Sequence, residues 1–147
     1  MKLSSRARYA LRAMMVIARE SKGGRPVNLG VVARETSISR AYLEQVAISL
    51  KNAGLLKGFP GKNGGHLLAR PAGDIRLGSI VEAAIGPVNI VGCIGDPAGC
   101  PRSGTCDIRP LYSLINGNIR EAFNAFTLAD LAGKRVAKLA ARRLATS

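Results

Sequence analysis

The chain has 147 residues, of which 47% are hydrophobic and only 4% aromatic, and it carries a formal net charge of +13. That length supports one or two small domains with a real hydrophobic core. The longest apolar candidate, residues 80–91, is broken by Glu82, Gly86 and Pro87, which excludes a membrane span. Lys2, Arg6 and Arg8 precede an apolar stretch as they would in an export signal. Arg12 and Arg19 interrupt that stretch, however, and its apolar residues fall at helical spacing, so the expected location is the cytoplasm.

Charge is unevenly spread. Residues 1–70 hold 13 Lys and Arg against Glu20, Glu35 and Glu44, a net of +10; residues 71–133 hold 4 basic against 6 acidic residues, a net of −2. From Lys134 onward there are 5 basic residues and no acid. This asymmetry points to a polyanion bound by the first half, with an affinity that falls steeply as salt rises.

In chain order, Ser4 or Ser5 caps a first helix with Ala7, Ala10, Leu11, Met14, Ile17 and Ala18 on one apolar face. Gly23, Gly24 and Pro26 end it. Asn28 caps a short second helix with Leu29, Val32 and Ala33 inward, stopping near residues 36–38. Ser39 caps a third, in which Leu43, Val46, Ala47 and Leu50 repeat as a buried face. That leaves Arg40, Tyr42, Glu44, Gln45 and Ser49 outward. Asn52, Ala53 and Gly54 close it. Two short helices joined by a tight turn match a helix-turn-helix, whose second helix enters the major groove. Residues 55–59 and 66–69 then read as a hairpin around a tip at residues 60–65. This is a wing: Gly61, Gly64 and Gly65 permit close backbone approach, and Lys62 and Asn63 can touch phosphate or a groove edge. His66, the single histidine, is read as a phosphate contact or a solvated side chain rather than a metal ligand.

After Arg70-Pro71 a fourth helix carries Leu77, Ile80, Val81 and Ala84 and ends at Gly86-Pro87. Cys93, Cys100 and Cys106 follow in a loop, CIGDPAGCPRSGTC, whose glycines and prolines preclude regular structure. Such loops project thiolates inward onto iron–sulfur clusters, with backbone amides free to bond the sulfurs. Six residues between the first two cysteines and five between the last two do not match the short pairs of zinc fingers. Three is an odd number, so closure into intrachain disulfides would leave one thiol over. A disulfide with one free thiol is still a workable redox switch. From spacing alone, cluster, thiol switch, zinc and inert cysteines all stay open. Beyond the loop, Pro110 opens a long helix over about residues 110–126, with Leu111, Leu114, Ile115, Ile119, Ala122, Phe123 and Phe126 in a stripe. A partner chain, or the same subunit, must cover that stripe. Gly117 marks a kink. Thr127 and Asp130 form a capping box for a last helix in which Leu128, Leu131, Leu139 and Leu144 pack, while Lys134, Arg135, Lys138, Arg142 and Arg143 stay in water.

The opening MKLSSRARYALRAM, the SRAYLEQV stretch, GKNGGHLL, IRLGSIVEA, the three-cysteine loop and FTLADL occur in the order of the IscR-like family of winged-helix iron–sulfur regulators, which the chain resembles over nearly its whole length. The resemblance implies a mainly α fold with a small β-hairpin wing. It also implies a homodimeric regulator, a repressor at some promoters, that binds a double-stranded DNA operator according to iron, oxygen, nitric oxide or redox status. Residues 1–70 would be the DNA-binding domain and residues 71–147 the sensor and dimerisation region. By likeness, Glu44 and Gln45 match base readers, with Ser39, Arg40 and Tyr42 beside them, and Gly61 to Gly65 match the wing tip. Cys93, Cys100 and Cys106 match ligands of a 2Fe-2S or 4Fe-4S cluster. Departures concern the fourth ligand: Arg109 stands where relatives carry histidine, and Arg8 where others carry an acid, leaving Asp107 and Asp96 as candidates. Pro60 replaces an arginine frequent before the wing glycine. Rival readings are a cluster-free regulator answering to a metabolite or to thiol oxidation, and a small thiol redox enzyme. The last lacks any carboxylate pair or nucleophile–histidine arrangement beside the cysteines.

Overall fold

The computed structural model describes residues 1–146, the Arg143 side chain excepted. Helix α1 (Ser5–Glu20) starts where the Ser4 hydroxyl accepts the Ala7 N–H at 3.2 Å. Helix α2 (Leu29–Thr36) is capped by Asn28, which accepts from the Gly30 N–H at 2.7 Å. It stops at Ser37, which takes the left-handed conformation at φ 56°. Ser39 caps α3 (Arg40–Asn52) by accepting from the Tyr42 N–H at 3.3 Å. These three caps satisfy amides that helix starts leave orphaned.

Strands β1 (Leu56–Phe59) and β2 (Gly65–Leu68) pair antiparallel, Leu56 opposite Leu68 and Phe59 opposite Gly65. Val27 adds to the outer side of β2, exchanging two 2.9 Å backbone hydrogen bonds with His66. The hairpin is thereby tied to the start of α2. A side chain on Gly64 would run into the Phe59 carbonyl, and one on Gly65 into that of Val27. These two glycines are demanded by the fold of the hairpin itself. Gly61 differs: its φ of 99° calls for glycine, and the space beyond it is open.

Helix α4 (Leu77–Ile85) buries Leu77, Ile80, Val81 and Ala84 as its spacing predicts. The cysteine loop holds a single turn, α5 (Gly92–Gly95), and a 3₁₀ turn at Pro97–Gly99, so it is more regular than its composition suggests. Helix α6 (Arg109–Asn124) runs unbroken through Gly117, without the expected interruption. The last helix is two: α7 (Leu128–Ala132) and α8 (Arg135–Ala145), parted at Gly133 and at Lys134, whose φ is 63°. Leu128 is fully buried, whereas Leu144, expected to pack, is 78% exposed.

The core gathers around α1, against which α2, α3, α4 and α7 all pack. Met14, Ile17, Leu43, Leu50, Leu55, Ile75, Ile80 and Leu128 are essentially inaccessible, so one core joins residues from both halves of the chain. The predicted α1 face is too narrow. Ala13 and Val16 are buried as well, while Leu11 and Ala18 are only partly so, because neighbours surround the helix on several sides.

The capping box at α7 is present, with Thr127 N–H donating to Asp130 Oδ2 at 2.9 Å and Asp130 N–H to Thr127 Oγ1 at 3.2 Å. The Thr127 backbone hydrogen bond, foremost, and the Thr127 and Arg135 side chains hold the Asp130 carboxyl below its ordinary value, against a smaller burial effect. A depressed carboxyl stabilises the fold above its unfolded pKa and ceases to as pH falls through the folded one. Wild-type protein should therefore melt above Asp130→Ala at neutral pH. The gap between the two thermal midpoints should close as the buffer is taken down through the acid carboxylate range.

Candidate DNA interface and cysteine loop

The outward side of α3 carries Arg40, Glu44 and Gln45 in solvent. Arg40 Nε and Glu44 Oε1 stand 3.4 Å apart, with side chains 60% and 56% exposed. An exposed i,i+4 pair of this kind contributes about 0.3–0.5 kcal/mol, too little to keep either residue from another partner. Tyr42, expected to face outward, is partly taken up within the protein: its ring meets that of Tyr9 edge-on at 5.3 Å. Ser49 is likewise turned to the protein, accepting from an Arg6 N–H at 2.6 Å.

Two grooves border the hairpin, one of them shared with α3. One, of about 430 Å³, runs from Arg40, Glu44 and Lys51 on α3 to Gly61, Gly64 and Gly65. The other, of about 650 Å³, lies between the start of α2 and the hairpin tip, with Arg25 and Asn28 facing Lys62 and Asn63. Arg25 and Lys51 escaped the reading of the sequence. The Val27–His66 pairing that brings Arg25 beside the hairpin joins residues far apart in the chain and leaves no periodic trace.

His66 differs from expectation. Burial first, and then the charge of Lys51, push its pKa below the ordinary value, so the ring is neutral near pH 7. Its Nδ1 is buried and has no hydrogen-bond partner among the described residues. A neutral, half-buried ring is poorly suited to hold a phosphate; it packs beside α3 instead.

Cys93 lies in α5, Cys100 just after the 3₁₀ turn and Cys106 just before α6; all three are free thiols, partly accessible. Arg109 Nε donates to the Cys93 carbonyl at 3.4 Å, and Arg8 bonds Ser5 Oγ at 3.0 Å, so neither arginine is turned to ligation. Asp96 lies close over Gly99, and both Asp96 and Asp107 are exposed. Three thiols within fourteen residues fit an iron–sulfur cluster in donor chemistry. They are not gathered for one: no three His, Cys, Asp or Glu side chains among the described residues are grouped to hold a metal ion. Behind the loop, Asn116 of α6 is 3% exposed and the one buried residue of that helix. Its Oδ1 accepts from the Ile90 N–H at 2.9 Å and its Nδ2 donates to the Val88 carbonyl at 3.0 Å. The predicted apolar stripe divides: Phe123 of α6 and Phe126 just beyond it pack on the core, while Leu111 and Leu114 are 50% and 62% exposed.

The family model for Rrf2, described as an iron-dependent transcriptional regulator, matches residues 3–134. The transcriptional regulator IscR of Citrobacter koseri is 34% identical over 131 residues, spanning 89% of this chain and 79% of the relative. Among solved structures, CymR, the global cysteine regulator of B. subtilis, superposes with a TM-score of 0.74 at 32% identity, covering 91% of this chain and 98% of that one. IscR of T. potens gives a TM-score of 0.71 at 28% identity, covering 92% and 88%. These relatives are transcriptional regulators rather than enzymes. With a helix-turn-helix and hairpin arranged as theirs and a match along nearly its whole length, the chain belongs to the Rrf2 family of DNA-binding transcriptional regulators.

Proposed function

We propose that the protein is a cytoplasmic, homodimeric regulator that binds a double-stranded operator and adjusts that binding to iron, redox or nitric oxide status through an iron–sulfur cluster held by Cys93, Cys100 and Cys106. The observation that carries this reading is the set of three accessible thiols on one loop, directly ahead of the helix whose apolar stripe is only half covered. The cluster, when bound, supplies a redox- and oxygen-labile centre. The chain's own part is to present thiolates, with Asp96 and Asp107 the nearest carboxylate candidates for a fourth position and Arg109 holding the Cys93 backbone. On DNA, Glu44 and Gln45 would read base edges, while Ser39, Arg40, Tyr42, Lys62, Asn63, the Gly61 backbone and Arg25 anchor phosphates. Gly64 and Gly65 serve by keeping the hairpin closed.

One observation favours a second reading, regulation by thiol oxidation without a cluster: the three thiols stand apart and free rather than gathered. Iron and acid-labile sulfide measured per chain on protein purified without oxygen separates the two. Matching amounts of both, lost in Cys93→Ala, are expected. Metal-free protein whose DNA binding still responds to diamide would instead establish the thiol switch.

The half-covered stripe gives the dimer prediction. Leu114→Lys should sediment as a monomer where the wild type sediments as a dimer, and should bind operator more weakly, because two protomers share one site.

Reader and anchor separate in binding assays on a duplex selected from random-sequence DNA by the wild-type protein. Gln45→Ala should lose about 1–3 kcal/mol of discrimination at one base pair. Lys62→Ala should weaken binding to all sequences and flatten the log–log salt slope by about 1.

A further inference from the structure

The route from the cysteine loop to the recognition helix is spanned by two polar side chains that hold backbone. Helix α4 ends at Ile85, and its last carbonyls have no partner within the helix. Arg6 of α1 supplies one: its Nε donates to the Ala84 carbonyl at 2.8 Å, placing a cation at the negative end of the α4 dipole. The other end of the same guanidinium donates to Ser49 Oγ on α3 at 2.6 Å. A rigid planar fork therefore fixes the end of α4 against the recognition helix.

Between that end of α4 and Cys93 the chain turns at Gly86, φ 80°, and runs through residues 87–92. Here Asn116 holds it. The carboxamide behaves as a peptide unit would in a ladder, taking the Ile90 N–H and giving a hydrogen to the Val88 carbonyl. It is the one buried polar side chain among the described residues, and both its hydrogen-bonding functions are spent on this segment. Arg109, also on α6, bonds the Cys93 carbonyl beyond it. Any displacement of the loop relative to α6 must pull on a clamped segment whose far end is the Arg6 anchorage. Hydrogen-bond networks in a packed setting are one of the physical routes by which such a displacement is carried.

We propose that Arg6 and Asn116 are positioning residues that couple the state of the cysteine loop to the placement of α3, by way of the 86–92 segment and Ser49. The proposal rests on the reading that the loop adjusts DNA binding. Its test compares operator affinity of reduced protein with that of protein alkylated at the loop thiols by iodoacetamide, on the duplex selected by the wild type. In the wild type the two should differ by about fivefold or more. Ser49→Ala removes the α3 end of the fork and leaves Arg6 on Ala84; it should keep the reduced-state affinity and a cooperative thermal transition while the response shrinks below about twofold, as should Asn116→Leu if it folds. Ser49→Thr, which restores the hydroxyl, should restore the response. A full wild-type response in Ser49→Ala would overturn the coupling while leaving the sensing loop intact. No response in the wild type itself would overturn both.

Discussion

Everything in this molecule is arranged around a helix lined with small residues. Ala7, Ala10 and Ala13 of α1 are buried, and short side chains there let neighbouring backbones come close. Four helices use that closeness, including α3, which carries the proposed DNA-reading residues, and α4, which leads to the cysteines. In a core at crystal-like packing density, enlarging one of those alanines forces neighbours apart at a cost of about 1–3 kcal/mol. Helices α3 and α4 are thus held by the same scaffold, so a shift in one would be felt by the other.

Helix α6 obeys a different rule. Its apolar stripe is satisfied near the C-terminal end by Phe123 on the core, with Phe126 just beyond the helix, yet the residue it buries deepest is an amide. A buried carboxamide is costly unless both its functions are bonded; Asn116 meets that condition on a segment with no ladder of its own. The exposure that remains, at Leu111 and Leu114, lies at the end nearest the cysteine loop. Under the proposed function, assembly and sensing would share one end of one helix.

The legible parts of the fold were those governed by local rules. Ser4, Asn28, Ser39 and Thr127 are caps in the sequence and caps in the structure, and the inward face of α3 follows from its spacing. What local patterns do not encode is long-range pairing. Val27 beside His66, Arg6 between α3 and α4, and Asn116 under residues 88–90 join positions 26 to 78 apart. Gly117 read as a kink, yet its neighbour Asn116 is a fastening. His66 read as an exposed contact because a two-stranded hairpin looks solvated on both faces, whereas in the fold its ring is half-buried with Lys51 of α3 nearby. The single last helix failed at Gly133 and Lys134, where helix-favouring residues on either side, apolar before and basic after, conceal the left-handed Lys134.

The strand pairing at Val27 has one more effect. Because that residue belongs to the lead-in of α2 and bonds β2 directly, the hairpin moves with the helix-turn-helix as one body rather than as a free arm. The span between α3 and the tip is then set before any duplex arrives. A rigid two-pronged gauge accepts DNA whose groove width and bend match it, and other sequences must be deformed at a cost of order 1–6 kcal/mol. Base pairs that no side chain touches would thereby enter the choice of operator.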